Sequence, residues 1–131
     1  MKVGLFFGSF NPIHIGHLLI ANEALHTKLI DQVWICPTPQ NPHKKKRSLL
    51  DYQKRLDLCH RALDDKMPSI VINDFERFLD KPSYTANSMR YLLNKYTTYS
   101  FSIIVGEDNY KTLDKWHDAA WLMKELSLIH I

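Results

Sequence analysis

A chain of 131 residues is long enough to bury one hydrophobic core and too short for two ordinary domains, so residues 1–131 read as a single domain. With 45% hydrophobic and 24% charged residues it has a globular profile, and no apolar run approaches the length of a membrane-spanning helix. The 17 lysines and arginines against 14 acidic residues leave +3, compatible with phosphate-bearing substrates but too mild to argue for nucleic acid.

Short apolar runs at Val3 to Phe7, Val33 to Cys36, Ile70 to Ile72, Phe101 to Val105 and Leu126 to Ile131 alternate with helical patterns. Strand and helix in alternation imply an α/β fold with a parallel sheet. The first helix shows Leu18, Ala21, Leu25 and Leu29 at helical spacing, the second Tyr52, Leu56, Cys59 and Leu63, and the third Met89, Leu92, Leu93 and Tyr96. Each presents one face to the sheet. Ser48 and Asp51 are candidate caps for the second helix, and Ser83 or Thr85 for the start of the third. Cys36 and Cys59 fit neither a zinc site nor a close-spaced redox pair, and are expected to be buried and reduced, as in a cytoplasmic protein. No signal peptide is expected ahead of the first strand.

Between the first strand and the first helix stands Gly8-Ser9-Phe10-Asn11-Pro12-Ile13-His14-Ile15-Gly16-His17. A helix N-terminus carries unpaired N–H groups and a partial positive charge, so it favours an anion before any side chain contributes. His14 and His17 are three apart and therefore neighbours on the helix. Gly8 and Gly16 allow close approach of a ligand and unusual dihedrals, and Pro12 stiffens the loop between them. Ser9 suits a phosphate donor and a turn residue equally. An isolated His-x-x-His reads as a pair of loop histidines; within this longer string, phosphate binding is the stronger reading. A metal site is not expected, because no third ligand with suitable spacing stands nearby.

This string resembles the signature of the nucleotidyltransferase superfamily, whose histidines contact the triphosphate of a bound nucleotide. Pro82-Ser83-Tyr84-Thr85-Ala86-Asn87-Ser88, and Gly106-Glu107-Asp108 followed by Trp116-His117, narrow the resemblance to the bacterial nicotinate mononucleotide adenylyltransferases. The resemblance runs to about Glu125 and implies a Rossmann-like, doubly wound sheet. In such sheets ligands bind beyond the carboxyl ends of the strands, where these motifs fall.

The implied reaction is attack by the phosphate of nicotinate mononucleotide on the α-phosphorus of ATP, with pyrophosphate leaving. The attacking phosphate is already ionised and the leaving group is good, so catalysis reduces to positioning and charge stabilisation. By resemblance His14 and His17 are catalytic, and Gly8, Ser9, Phe10, Gly16, Gly106 and Asp108 join them in holding ATP. Asn11, His43, Lys44, Tyr84, Thr85, Asp108, Trp116 and His117 fall to the mononucleotide side. Asn11 stands where many relatives carry Asp, and Lys44 replaces a usual Arg, keeping charge but losing the two-pronged contact. Trp116 is implied to stack on the pyridine ring, although by itself it reads equally as a core aromatic. Magnesium is expected to arrive with ATP, since no cage of oxygen ligands is visible. No nucleic-acid or membrane partner is expected, and the oligomeric state is left open.

The family continues beyond this length to a Ser-Ser/Ala-Thr-x-x-Arg motif that closes over the nucleotide. A C-terminal truncation is therefore expected. The last six residues, Leu126 to Ile131, back-translate to CTG-TCT-CTT-ATA-CAC-ATC, the end sequence of a transposon-based sequencing adapter, so native sequence is expected to stop near Glu125. The rival readings are a sister transferase acting on phosphopantetheine or an alcohol phosphate, and a fragment that binds nucleotide without turnover.

Overall fold

The computed structural model describes residues 1–39, 50–63, 67–125 and 127–131. Its elements follow in the order β1 (Lys2–Gly8), α1 (Ile15–His26), β2 (Gln32–Pro37), α2 (Tyr52–Ala62), β3 (Ile70–Ile72), a 3₁₀ turn (Phe75–Phe78), α3 (Thr85–Lys95), β4 (Ser100–Val105), α4 (Glu107–Thr112), a second 3₁₀ turn (Leu113–Lys115), α5 (Ala119–Glu125) and β5 (Ser127–His130). The five strands are parallel, in the spatial order β3-β2-β1-β4-β5. This is the parallel sheet the alternation predicts, wound in both directions from β1 as the resemblance implies.

β1 lies at the centre because it is apolar on both faces, as a strand covered by helices on each side must be. Val3 and Leu5 join Trp34, Cys36, Met89, Leu92, Phe101 and Ile103 in one core cluster. Phe6 joins Ala21, Ala24, Val33, Ile35, Cys59 and Ile104 in the other. Cys36 and Cys59 are thus buried free thiols in different clusters. The chain leaves β1 toward β2 and β3 on one side and returns to β4 and β5 on the other. The reversal falls between β1 and β4, and in sheets of this kind ligands bind at the carboxyl ends of the strands beside such a reversal.

Several local expectations are corrected. The apolar face of α1 ends at Leu25, because the Thr27 hydroxyl donates to the Ala24 carbonyl and closes the helix; Leu29 lies past it and is 61% exposed, while Ile30 turns into the core. Asp51 is the N-cap of α2 but caps it with no side-chain hydrogen bond, and Ser48 lies outside the described residues. The third helix starts at Thr85, one of the two positions expected, and Tyr84 occupies its N-cap, again without a side-chain bond.

Candidate active site

After Gly8 the chain turns sharply. Ser9, Phe10 and Ile13 are buried, which pulls the loop down onto the sheet and delivers His14 to the N-cap of α1. The His14 N–H donates to Nδ1 of His17 at 3.0 Å, and the Gly16 N–H donates to Nδ1 of His14 at 3.1 Å. Two otherwise orphaned helix donors are satisfied by the two rings. A ring nitrogen that accepts cannot carry the proton, so in both neutral imidazoles Nε2 is the donor nitrogen. The rings stack with centroids 3.8 Å apart.

The loop's unusual dihedral falls on Phe10, at φ 47°, and no glycine takes a positive φ. This corrects the expectation for Gly8 and Gly16. What Gly16 supplies is room, because a Cβ there would lie 2.9 Å from Cε1 of His14. The Phe10 ring is buried edge-on beneath His17, with centroids 4.8 Å apart, so it supports the histidine and leaves only its main chain for a ligand. The Ser9 hydroxyl is buried with no hydrogen-bond partner among the described residues. Asn11 Oδ1 accepts from the Leu50 N–H at 2.8 Å and so ties the loop to the segment entering α2. His43 and Lys44 lie outside the described residues.

A second group of predicted residues meets across the start of α3. Tyr84 and His117 stack with centroids 4.4 Å apart. Asp118 holds that loop in place, 3.0 Å from Arg90 Nη1 and 3.5 Å from His117 Nε2. Trp116 is half-buried against the core cluster that holds Leu5, Trp34 and Ile103. Thr85 is the first residue of α3, where main-chain N–H groups lack helical partners. Gly106 caps α4 beyond the end of β4 with open space above its α-carbon, and Asp108 is exposed on the first turn. Beneath Tyr84 a cavity of about 190 Å³ is lined in part by Glu76, Ser83, Asn87 and Ser88.

Sequence reasoning missed four buried residues that tie these parts together. Arg55 is 1% exposed, and its guanidinium donates to the carbonyls of Leu50, Ser9, Thr38 and Pro39 at 3.0, 2.6, 2.9 and 3.1 Å. Burial lowers its pKa, and the neighbouring Tyr52, Cys59 and Asp51 oppose that shift. Glu76, 2% exposed, accepts from the Thr38 hydroxyl at 2.8 Å and the Ser88 hydroxyl at 2.5 Å. Burial pushes its carboxyl up to about 7 against the pull of those two bonds. A signal for Arg55 did exist: it stands one turn from Tyr52 and from Cys59, on the inward face of α2. Ser88 likewise stands one turn from the buried Leu92 on α3, whereas Glu76 and Thr38 lie in a short 3₁₀ turn and just past a strand, where no helical period marks them.

Among the described residues no three His, Cys, Asp or Glu side chains gather into a metal-holding group, and no helix is long and apolar enough to cross a membrane.

Residues 5–131 match the cytidylyltransferase-like family. The chain is 50% identical over 116 residues to a probable nicotinate-nucleotide adenylyltransferase of Flavobacterium psychrophilum, covering 88% of this chain and 60% of that protein. A Bacillus mycoides protein of the same name is 34% identical over 131 residues, covering 99% of this chain and 68% of its own length. The structure of Plasmodium falciparum nicotinic acid mononucleotide adenylyltransferase complexed with NaAD superposes with a TM-score of 0.77 at 15% identity, over 99% of this chain and 75% of that one. The chain thus spans about 60% of the length of the first curated relatives it matches.

Proposed function

The chain belongs to the cytidylyltransferase-like family and groups within it with the nicotinate-nucleotide adenylyltransferases, and from that premise we propose that the whole protein transfers the adenylyl group of ATP to nicotinate mononucleotide. Nicotinate adenine dinucleotide and pyrophosphate are the products, and the step belongs to NAD biosynthesis.

The reciprocal cap of His14 and His17 carries this reading. With both Nδ1 atoms committed to the main chain, both rings donate from Nε2 without first gaining a proton, and they do so at the positive end of α1. That arrangement suits the ATP polyphosphate, whose negative charge grows at the leaving pyrophosphate as the α-phosphorus is attacked. Gly8, Ser9 and the Phe10 main chain line the same turn, and the buried Ser9 hydroxyl is one further donor for an oxygen. Gly106 and Asp108, beyond β4, complete the nucleotide side.

The mononucleotide lies across the switch point. Its pyridine ring packs against Trp116, and its carboxylate takes main-chain N–H groups near Thr85 and His117, with Tyr84 closing the pocket. Asn11, His43, Lys44 and Asp108 serve its phosphate and sugar. Magnesium enters as part of the ATP substrate, paired with its phosphate oxygens. No nucleic acid or membrane takes part, and the free thiols accord with a cytoplasmic setting.

Incubating the full-length protein with ATP and each acceptor tests the assignment. Pyrophosphate release with nicotinate mononucleotide is the expected result; release only with phosphopantetheine transfers the assignment to the sister activity.

A further inference from the structure

Among the described residues the buried polar and charged side chains are Ser9, Thr38, Arg55, Glu76 and Ser88. They lie on one path. Arg55 Nη1 holds the carbonyls of Ser9 and Thr38, the Thr38 hydroxyl reaches Glu76, and the other carboxylate oxygen of Glu76 takes the Ser88 hydroxyl. One end is the turn after β1; at the other, the Ser88 N–H donates to the Tyr84 carbonyl at 3.1 Å on the first turn of α3.

Burying a guanidinium and a carboxyl in so small a core is costly, and apolar side chains of similar size would hold the fold as well. The two charges form no ion pair with each other; Thr38 stands between them, bound to one through its carbonyl and to the other through its hydroxyl. What this path adds over apolar packing is direction, because hydrogen bonds fix separations and angles that dispersion contacts leave soft. It also draws main-chain carbonyl oxygens at the ends of β1 and β2 onto Arg55, which lessens the partial negative charge an incoming polyphosphate meets.

We propose that Arg55, Thr38 and Glu76 are positioning residues that set the separation between the turn carrying Ser9 and the helix start carrying Tyr84 and Thr85. This rests on the adenylyl-transfer reading, in which those two places hold the two substrates. In a reaction driven by alignment, a misplacement of about 1 Å costs on the order of 100-fold in rate.

Thr38→Val in the full-length protein removes the hydroxyl, keeps the shape and leaves the carbonyl on Arg55. The expected result is a fall in kcat of about 10- to 100-fold, with KM for ATP and for nicotinate mononucleotide within about threefold of wild type, and recovery in Thr38→Ser. A kcat within twofold of wild type while Tm falls makes the path purely structural and overturns the proposal. Ser88→Ala cuts the path at its other end, carries the same two outcomes, and serves if Thr38→Val does not fold. Should the wild-type protein show no adenylyl transfer, the functional reading fails by itself. The path is then read by amide hydrogen exchange in Ser88→Ala: faster exchange at residues 9–14 supports it, and unchanged exchange there overturns it.

Discussion

The His14 and His17 rings stack at 3.8 Å with 25° between their planes, and each turns Nδ1 inward to a main-chain N–H of the first helical turn. One arrangement therefore serves two ends. It caps α1, and it selects the tautomer in which Nε2 carries the proton.

His17→Ala in the full-length protein is expected to lower kcat by about 100-fold or more, the loss typical of one transition-state donor. Steady-state kinetics with ATP and nicotinate mononucleotide decides it, and an unchanged kcat removes His17 from the mechanism.

Gly16→Ala sets two effects against each other. Helix propensity favours alanine by about 1 kcal/mol, whereas the new Cβ would sit 2.9 Å from Cε1 and 3.0 Å from Nδ1 of His14. The ring must move and its cap loosens, so ATP binding is expected to weaken about tenfold or more even where Tm holds. Calorimetric titration with ATP measures this; undiminished affinity shows that the His14 ring position is immaterial.

Glu76 makes stability depend on pH. Its carboxyl titrates at about 7 in the fold, against an ordinary 4.5, because it is desolvated. The folded state therefore binds this proton more tightly than the unfolded chain. The contribution is complete below 4.5 and is lost as pH rises through 7, by roughly 3 kcal/mol at most. Cys36 and Tyr52 feel its charge, and Asp80 lines the same cavity. Glu76→Gln, which mimics the protonated acid, is expected to flatten the decline between pH 5 and pH 8 in denaturant melts. An unaltered slope assigns the dependence to other groups.

Trp116→Ala is expected to raise KM for the mononucleotide about tenfold or more while leaving KM for ATP within about twofold. Equal rises for both substrates mean that Trp116 acts through the core it packs against rather than through the pyridine ring.

The alternation of strands and helices, the parallel sheet and the seat of the histidine pair were legible from residues alone, because each is settled within a few positions of the chain. Apolar periodicity marks a buried face, and His14 and His17 meet because residues three apart share one side of a helix. Where a local feature was misread, as with Leu29, a neighbouring cap ended the helix before the period did. The path from Ser9 to Ser88 left almost no such trace. Its bonds join residues 46, 17, 38 and 12 positions apart, and a polar side chain has no periodicity that says whether it will be buried with a partner or left in water. The side-by-side ends of β1 and β2, brought together by the parallel sheet, together with Leu50 before α2 and Ser88 on α3, supply the partners that make burying Arg55 and Glu76 tolerable.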